Sequence, residues 1–469
     1  MSEFIFGSYV QADLEQILQR REERRQEQAA LLALSPCVVS FTLNIPGNRK
    51  AFPLADACFE EGLTQILSSL SPVQPESQID HAGVTGREAL LAIHADAAEV
   101  KRKMVRLEEE HPLGRVWDID VFGKDGRSLS RRSLGRPARP CLICGGDAKA
   151  CARSRAHAFR DAFAATYRQM DDYFLARAQM QIADCAEQAL LQEVSTTPKP
   201  GLVDRSNSGA HKDMDYQLFL KSIQAISPYF RIFVRIGWEG SEQEDAYVFA
   251  ALRSAGQQAE SAMFQATNGI NTHKGFIFSA AILCAALGRL QAQFCAPVRY
   301  EALSAACAKL AHYALSDFNG AAGDTAGLRL YQMHQLQGVR GEAAAGFPSV
   351  FQIGYPALLF WLKRGASLND ASAAALLYLI AAVEDTNLVH RGGKTTAVMC
   401  RKEAEALLRE LTVDTLVERL TCLDKRYIEQ NLSPGGCADL LALSLLIYGL
   451  EKARFLMPEA SSPPHTTVH

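Results

Sequence analysis

Apolar spacing changes character near residue 170, and that switch constrains the fold more than any single motif. Before it, helical and strand patterns alternate. A charged segment from about Asp13 to Leu34 reads as a helix, the β-branched run from Cys37 as a strand, and Glu60 to Leu70 as a helix. Apolar residues from Ala89 give a further strand, Lys101 to Glu110 a helix, and Arg-Val-Trp-Asp-Ile-Asp-Val-Phe-Gly from Arg115 a strand closed by the turn signal Lys124-Asp125-Gly126. That half is predicted to be an α+β domain. After it come long Ala- and Leu-rich segments with apolar spacing near ~3.6, broken by Gly, Asn and Pro, which predict an all-α helical domain. The join is helix-forming throughout, so the boundary is set at 175, giving domains 1–175 and 176–469.

Two domains agree with 469 residues, since single cores stop growing well below that length. With 48% hydrophobic and 22% charged residues, both should fold, and a net charge of −3 argues against a nucleic-acid-coating protein. The start of the chain has no basic-then-apolar secretory pattern. The longest apolar runs, near Phe276 and Leu440, fall short of the ~18–20 residues a bilayer crossing needs and read as buried helices. Twelve scattered cysteines fit a reducing compartment. The expectation is a cytoplasmic protein with no membrane partner, ending in a disordered tail, Ser-Ser-Pro-Pro-His-Thr-Thr-Val-His.

Charge is uneven: from Lys124 to Arg160 there are ten Lys or Arg against two acids, Asp125 and Asp147, which suits a polyanionic ligand or a solvated face. Just upstream, Asp118 and Asp120 alternate on a strand, so both carboxylates face one way while Ile119 and Val121 face the core. About 7 Å apart along the strand, they can hold Mg²⁺ for phosphoryl or nucleotidyl transfer, or form an acidic strand edge. Downstream, Cys141, Cys144, Cys151 and His157 make a candidate tetrahedral Zn²⁺ set, although Cys151 and His157 fall six apart in what reads as one helix and so do not share a face. Arg153 and Arg155 among them match phosphate oxygens better.

In the second half, a Pro- and Gly-rich loop carries Glu193, Lys199, Asp204, Asn207, His211, Asp213 and Asp215, with Asp213 or Asp215 able to cap the next helix. Asn271, Thr272, His273 and Lys274 precede an apolar helix whose N-terminus suits a triphosphate. Two further polar islands, Glu384, Asp385, Asn387, His390 and Arg391, then Ser433 and Asp439, interrupt apolar runs, where acids are costly unless paired or holding a metal. The Arg-Gly-Gly-Lys-Thr-Thr from Arg391 is not a Walker A loop, because Leu388 stands where its first Gly is needed.

Several ordered segments of the first half, REERRQEQAALL, FTLNIPGNRK, EEHPLGRVWDIDVFGKDGRSLSRRSLG and RPCLICGGDAKACARSRAH, resemble citrate lyase holo-acyl-carrier-protein synthase, the phosphoribosyl-dephospho-coenzyme A transferase family, over about residues 10–165. That resemblance implies a nucleotidyltransferase-like site. Asp118 and Asp120 would hold the metal, and Lys50, Arg115 and Arg131 are candidate phosphate contacts, although the sequence shows no clear Gly-Ser phosphate loop upstream of the acids of the kind many nucleotidyltransferases have. It also implies transfer of the prosthetic group from its triphosphate to a serine of the lyase's acyl carrier subunit, with pyrophosphate release. In the second half PKPGLVD, GAHKDMD, TNGINTHKG, GFP at Gly346, DTN followed by RGG, and SPGGCADLL resemble triphosphoribosyl-dephospho-coenzyme A synthase over about residues 180–455. This implies that the 2′-hydroxyl of dephospho-coenzyme A displaces adenine from ATP. The acids to test are Asp204, Asp213, Asp215, Glu260 and Asp385, with Asp213 and Asp215 as Mg²⁺ ligands. Lys199, His211, Asn271, His273, Lys274 and Arg391 are the phosphate-side candidates. Such residues fit a ribosyl centre that gains positive charge as its base leaves. Two other readings stand beside this one: a metal-dependent ribosyl glycohydrolase fused to a zinc-binding interaction module, and the malonate decarboxylase counterpart.

Overall fold

The structure, a computed structural model, describes residues 11–318, 332–333 and 336–458; the C-terminal tail lies outside them. The chain divides into two compact units, one formed by residues up to Ala176 with the short Phe294–Ala296 segment, the other by Arg177–Gln293 and the residues from Pro297 onward.

In the first unit, helix α1 (Leu14–Leu34) opens with a capping box: Asp13 accepts the Gln16 N–H at 2.7 Å while the Gln16 side chain accepts the Asp13 N–H. Strands β1 (Cys37–Leu43), β2 (Ser77–Gly83), β3 (Gly86–Ile93) and β4 (Trp117–Gly123) form an antiparallel sheet in the order β2-β3-β1-β4. The pleat sorts its two faces. Val39, Phe41, Leu91, Ile93, Ile119 and Val121 enter a core shared with helices α2 (Pro53–Leu70) and α3 (Ala97–Glu110). Trp117, fully buried there, donates its indole N–H to the Cys58 carbonyl at 3.1 Å, which removes the cost of burying that polar atom. On the opposite face Val38, Leu90 and Ala92 pack under Leu31. That face then turns polar: Glu88, Thr42 and Asp118 lie side by side across β3, β1 and β4, and Ser40 lies beside Asp120. After β4 come a short helix α4 (Ala148–Ser154) and the long α5 (Phe159–Ser195), which contributes to both units.

The described second unit is built from α5 and ten further helices: α6 (Tyr216–Glu239), α7 (Asp245–Ala266), α8 (Lys274–Phe294), α9 (Tyr300–Ala311), α10 (Gly338–Ala344), α11 (Tyr355–Lys363), α12 (Leu368–Ala382), α13 (Thr386–Glu410), α14 (Leu416–Glu429) and α15 (Gly435–Lys452). Helices α8, α12 and α15 are apolar almost all round and form the centre. Small residues let α6 and α8 approach: a Cβ on Gly237 would stand 2.0 Å from the Ala285 carbonyl oxygen, and one on Gly288 2.4 Å from that of Val234. Helix α13 breaks at Gly393, whose φ of 79° only glycine adopts freely.

Two expectations change here. The unit is not purely helical, since Val298–Arg299 and Leu456–Met457 pair as two short parallel strands. And α8, at 21 residues with mean hydropathy 1.5, is long and apolar enough to cross a bilayer; 72% of its apolar window is instead buried within the fold, where neighbouring helices take the place of lipid.

Candidate functional site

In the first unit, alternation along β4 puts Asp118 and Asp120 on the polar face of the sheet. A cavity of about 200 Å³ opens beside Asp118, lined by Arg20, Arg21 and Arg24 of α1, Thr42, Lys50, Arg87 and Glu88. Glu88 accepts Arg20 Nε at 2.9 Å and Arg24 at 3.0 Å. Enclosure by the surrounding protein, and then the charge of Asp120, push the Asp118 carboxyl up, while Arg139, 3.6 Å away, opposes the shift. Lys50 donates to the Ile45 carbonyl; its ammonium is pushed down by burial and by Arg21, against the pull of Asp118. Ser128 donates to Asp120 at 3.3 Å, and buried Lys101 donates to the Ile119 carbonyl at 2.8 Å behind the pair. A carboxylate pair ringed by cations can take a polyphosphate with a divalent ion.

Of the expected phosphate contacts in this half, only Lys50 lines that cavity. Arg115 donates to the Pro140 carbonyl, Arg131 pairs with Glu109, Arg153 sits on the exposed face of α4, and Arg155 is the left-handed residue (φ 50°) that ends it. Arg20, Arg21, Arg24 and Arg139 were missed. Their signal was present as arginines clustered within one turn of α1 and as the last basic residue before Cys141. The cysteine cluster also needs correction: α4 stops at Ser154, so Cys151 and His157 do not share a helix, and the reversal at Arg155 brings the ligand atoms of Cys141, Cys144, Cys151 and His157 within 4.8 Å of one another.

The second unit holds a cavity of about 1750 Å³. Three helix N-termini open onto it: α8 at Lys274 and Gly275, α13 at Thr386 and Asn387, and α15 at Gly435 and Gly436. Their positive dipole ends converge there, a setting for a polyanion, although Asn271 and Asp385 already accept several of their first N–H groups. Behind them lie carboxylates. Asp439 is pushed well above the ordinary carboxyl range by burial, then by Glu193 and Asp385, although the Phe276 N–H favours its ionised form. Its Oδ2 lies so close to α8 that a Cβ on Gly275 would be 2.1 Å away. Glu193 is raised by burial and pairs with Lys199, itself 1% exposed. Asp385 caps α13, accepting the N–H groups of Asn387 at 2.8 Å and Leu388 at 3.0 Å, and accepts that of Cys437 at 2.8 Å; burial nonetheless raises it.

The remaining expected residues divide. Asp213, His211, Glu260, Asn271 and Lys274 line the cavity. Lys274 pairs with Glu260 at 2.9 Å, and its N–H is accepted by Asn271 at 3.2 Å. Arg391 donates to the Ala210 carbonyl and to Asn431, and also to His211 Nδ1 at 3.1 Å, which leaves Nε2–H of His211 to face Ser433 Oγ at 2.9 Å. Burial and Arg391 hold the His211 imidazole down, hence neutral. Two acids stand elsewhere. Asp204 is buried and accepts backbone N–H groups of Lys199, Ser206 and Asn207, so it shapes the loop and does not line the cavity. Asp215 is the N-cap of α6, accepting the Leu218 N–H at 2.8 Å, also outside the lining. His273 lines the cavity, but not as a cation: burial and Lys199 bring it down to about 3, and its Nδ1 meets Ser222 Oγ at 2.7 Å. Glu193 and Asp439, singled out in the sequence without a role, stand close to one another here, and Asp424, which accepts the Gly201 N–H and the Asn207 amide, was missed.

The comparisons follow this division. Residues 179–455 match the family described as ATP:dephospho-CoA triphosphoribosyl transferase, and residues 12–173 match apo-citrate lyase phosphoribosyl-dephospho-CoA transferase. A protein CitXG of Haemophilus influenzae is 36% identical over 92% of this chain and 95% of its own length; one of Leuconostoc mesenteroides subsp. cremoris is 32% identical over 93% and 96%. A 2-(5''-triphosphoribosyl)-3'-dephosphocoenzyme-A synthase of Haemophilus ducreyi is 38% identical over 66% of this chain and 99% of its own.

Proposed function

The chain belongs to the CitXG family, which joins the two transferases of citrate lyase prosthetic group formation, and from that premise we propose which residues carry each reaction. It is a bifunctional transferase that synthesises and attaches that group. In the second unit, ATP would place its triphosphate at the three helix N-termini with Lys274, and its ribose toward Asp439. As the bond from C1 of the ribose to adenine breaks, the base needs a proton, and a carboxyl held above its ordinary range retains one to give. The 2′-hydroxyl of dephospho-coenzyme A then bonds to C1, and its proton passes to the carboxylate that the first transfer leaves on Asp439. This raised, half-buried Asp439 beside three helix N-termini is the observation that carries the reading.

In the first unit, the substrate's triphosphate would occupy the basic cavity beside Asp118, and the serine of the acyl carrier subunit would attack the phosphorus nearest the ribose, with pyrophosphate leaving. A nucleotidyltransferase-like fold is the proposed frame for this step. Magnesium fits both places. Asp118 and Asp120 repel one another on one face, which a divalent cation would relieve, and the exposed Asp213 carboxylate lines the large cavity. Asp118 and Asp120 would hold the ion in the first unit, and Asp213 in the second, where it would neutralise phosphate charge. Asp215, turned to capping α6, is not proposed as a ligand.

The test is adenine release from ATP and Mg²⁺ with and without dephospho-coenzyme A. Release that needs dephospho-coenzyme A is expected; equal release in its absence would mean hydrolysis of the ribosyl bond and end this reading.

A further inference from the structure

The cysteine cluster of the first unit plays no part in either reaction as described, yet its geometry is that of a metal site. We propose that Cys141, Cys144, Cys151 and His157 bind one structural zinc ion, and that this ion holds Arg139 against Asp118. Their four ligand atoms lie within 4.8 Å of one another. Cys144 and Cys151 sulfurs are 3.6 Å apart, close to the edge of about 3.8 Å that a tetrahedron with Zn–S near 2.3 Å requires, and far beyond the ~2.05 Å of a disulfide.

The backbone is already shaped for it. Cys141 to Gly146 forms a tight knuckle: the Gly145 N–H donates to the Cys141 carbonyl at 3.0 Å, the Cys141 N–H donates to the Gly146 carbonyl at 2.5 Å, and Gly145 takes the left-handed φ of 74°. Inside the knuckle the N–H groups of Cys144 and Ile143 are directed at the Cys141 sulfur. Asp147 caps α4 and so fixes Cys151 one turn in. Finally, Nε2 of His157 is buried without a hydrogen-bond partner, a cost that a metal ligated through that nitrogen would remove.

What the ion would hold follows from where the knuckle is fastened. Arg139, two residues before Cys141, donates to the Trp117 carbonyl at 2.7 Å, pairs with Glu108, and stands 3.6 Å from Asp118. Its own carbonyl accepts the Ala148 N–H at 3.0 Å, and Pro140 bridges to Asp147. Arg139 is therefore a positioning residue clamped by the zinc knuckle on one side and the strand of Asp118 on the other. The ion is proposed independently of the reaction assigned to this unit; only its effect on attachment rests on that assignment.

The experiment uses the full-length protein purified without chelators. Elemental analysis should find one zinc per chain, and Cys144→Ser or His157→Ala should lose it. Wild-type protein stripped by a chelator and refilled with Co²⁺ should give the ligand-field and thiolate charge-transfer bands of a tetrahedral site, a readout that needs no variant to fold. Arg139→Gln should keep its zinc yet slow attachment about 10–100-fold, the scale typical of residues that orient metal-site ligands, with adenine release unchanged. Protein free of zinc that gives no tetrahedral Co²⁺ spectrum, or a disulfide found among the three cysteines in protein handled without oxidant, would overturn the site. An Arg139→Gln variant attaching at the wild-type rate would overturn its role.

Discussion

Replacing Asp439 by asparagine separates charge from shape at the floor of the large cavity. The carboxyl meets Glu193 and Asp385, receives the Phe276 N–H, and is held well above its ordinary range, which favours its protonated form. Asparagine matches its size and can still accept that N–H, but it cannot protonate a departing base. Loss of general acid catalysis of this kind costs about 10²–10⁴ in rate, or roughly 3–5 kcal/mol in the barrier. Stability should respond differently. A carboxyl whose folded pKa exceeds its unfolded value binds its proton more tightly in the folded chain, so its contribution is complete below the unfolded value of 3.8 and is lost as the pH rises through the folded one. Asp439→Asn removes that loss. The variant should therefore match the wild type in thermal stability only below about pH 3.8 and exceed it by a growing margin as the pH rises from there towards the folded value, while releasing adenine slowly throughout. Adenine is followed by chromatography with ATP, Mg²⁺ and dephospho-coenzyme A, and unfolding by calorimetry across a pH series. A folded variant that releases adenine at the wild-type rate would refute the proton-donor role, and parallel stability curves would refute the raised carboxyl.

Other substitutions probe neighbouring parts of the account. Lys274→Ala should weaken ATP binding by about 1 kcal/mol, roughly fivefold, because the side chain is half-exposed and already shared with Glu260; calorimetric titration with ATP measures this, and an unchanged affinity removes Lys274 from the triphosphate site. Gly275→Ala puts a Cβ 2.1 Å from Asp439 Oδ2 and should displace that carboxyl, lowering adenine release in a protein that still unfolds cooperatively; wild-type turnover would show that the close approach does not matter.

How far the sequence foretold this structure depends on the range of the interaction involved. The pleat repeats every two residues, so Asp118 and Asp120 could be placed on one face from spacing alone, and their flanking Ile119 and Val121 in the core. Capping was equally local, and Asp215 does start α6. Yet the same local reading could not tell a capping acid from a catalytic one. Asp204 looked reactive in a polar loop, but its oxygens are spent on backbone N–H groups of that loop. Asp439 was read as an acid beside an apolar run, and its weight came only from long-range packing: Glu193 lies more than two hundred residues away in the chain and the start of α8 more than 160, separations that neither motif spacing nor charge pattern spans. The single helix expected to carry Cys151 and His157 failed for a third reason. A single left-handed residue, Arg155, ended the helix assumed to continue to His157, and such a reversal leaves little trace in periodicity.

The central claim is that building and attaching the group are separate reactions of the two units, and Asp120→Asn tests it directly. The variant is incubated with ATP, Mg²⁺, dephospho-coenzyme A and the apo acyl carrier subunit of citrate lyase, and adenine release is measured beside the mass of that subunit. Adenine release at the wild-type rate is predicted, with attachment slowed about 10²–10³-fold by the lost carboxylate charge and the triphosphoribosylated intermediate accumulating. A folded Asp120→Asn protein that releases no adenine, or that modifies the carrier serine as fast as the wild type, would contradict the account.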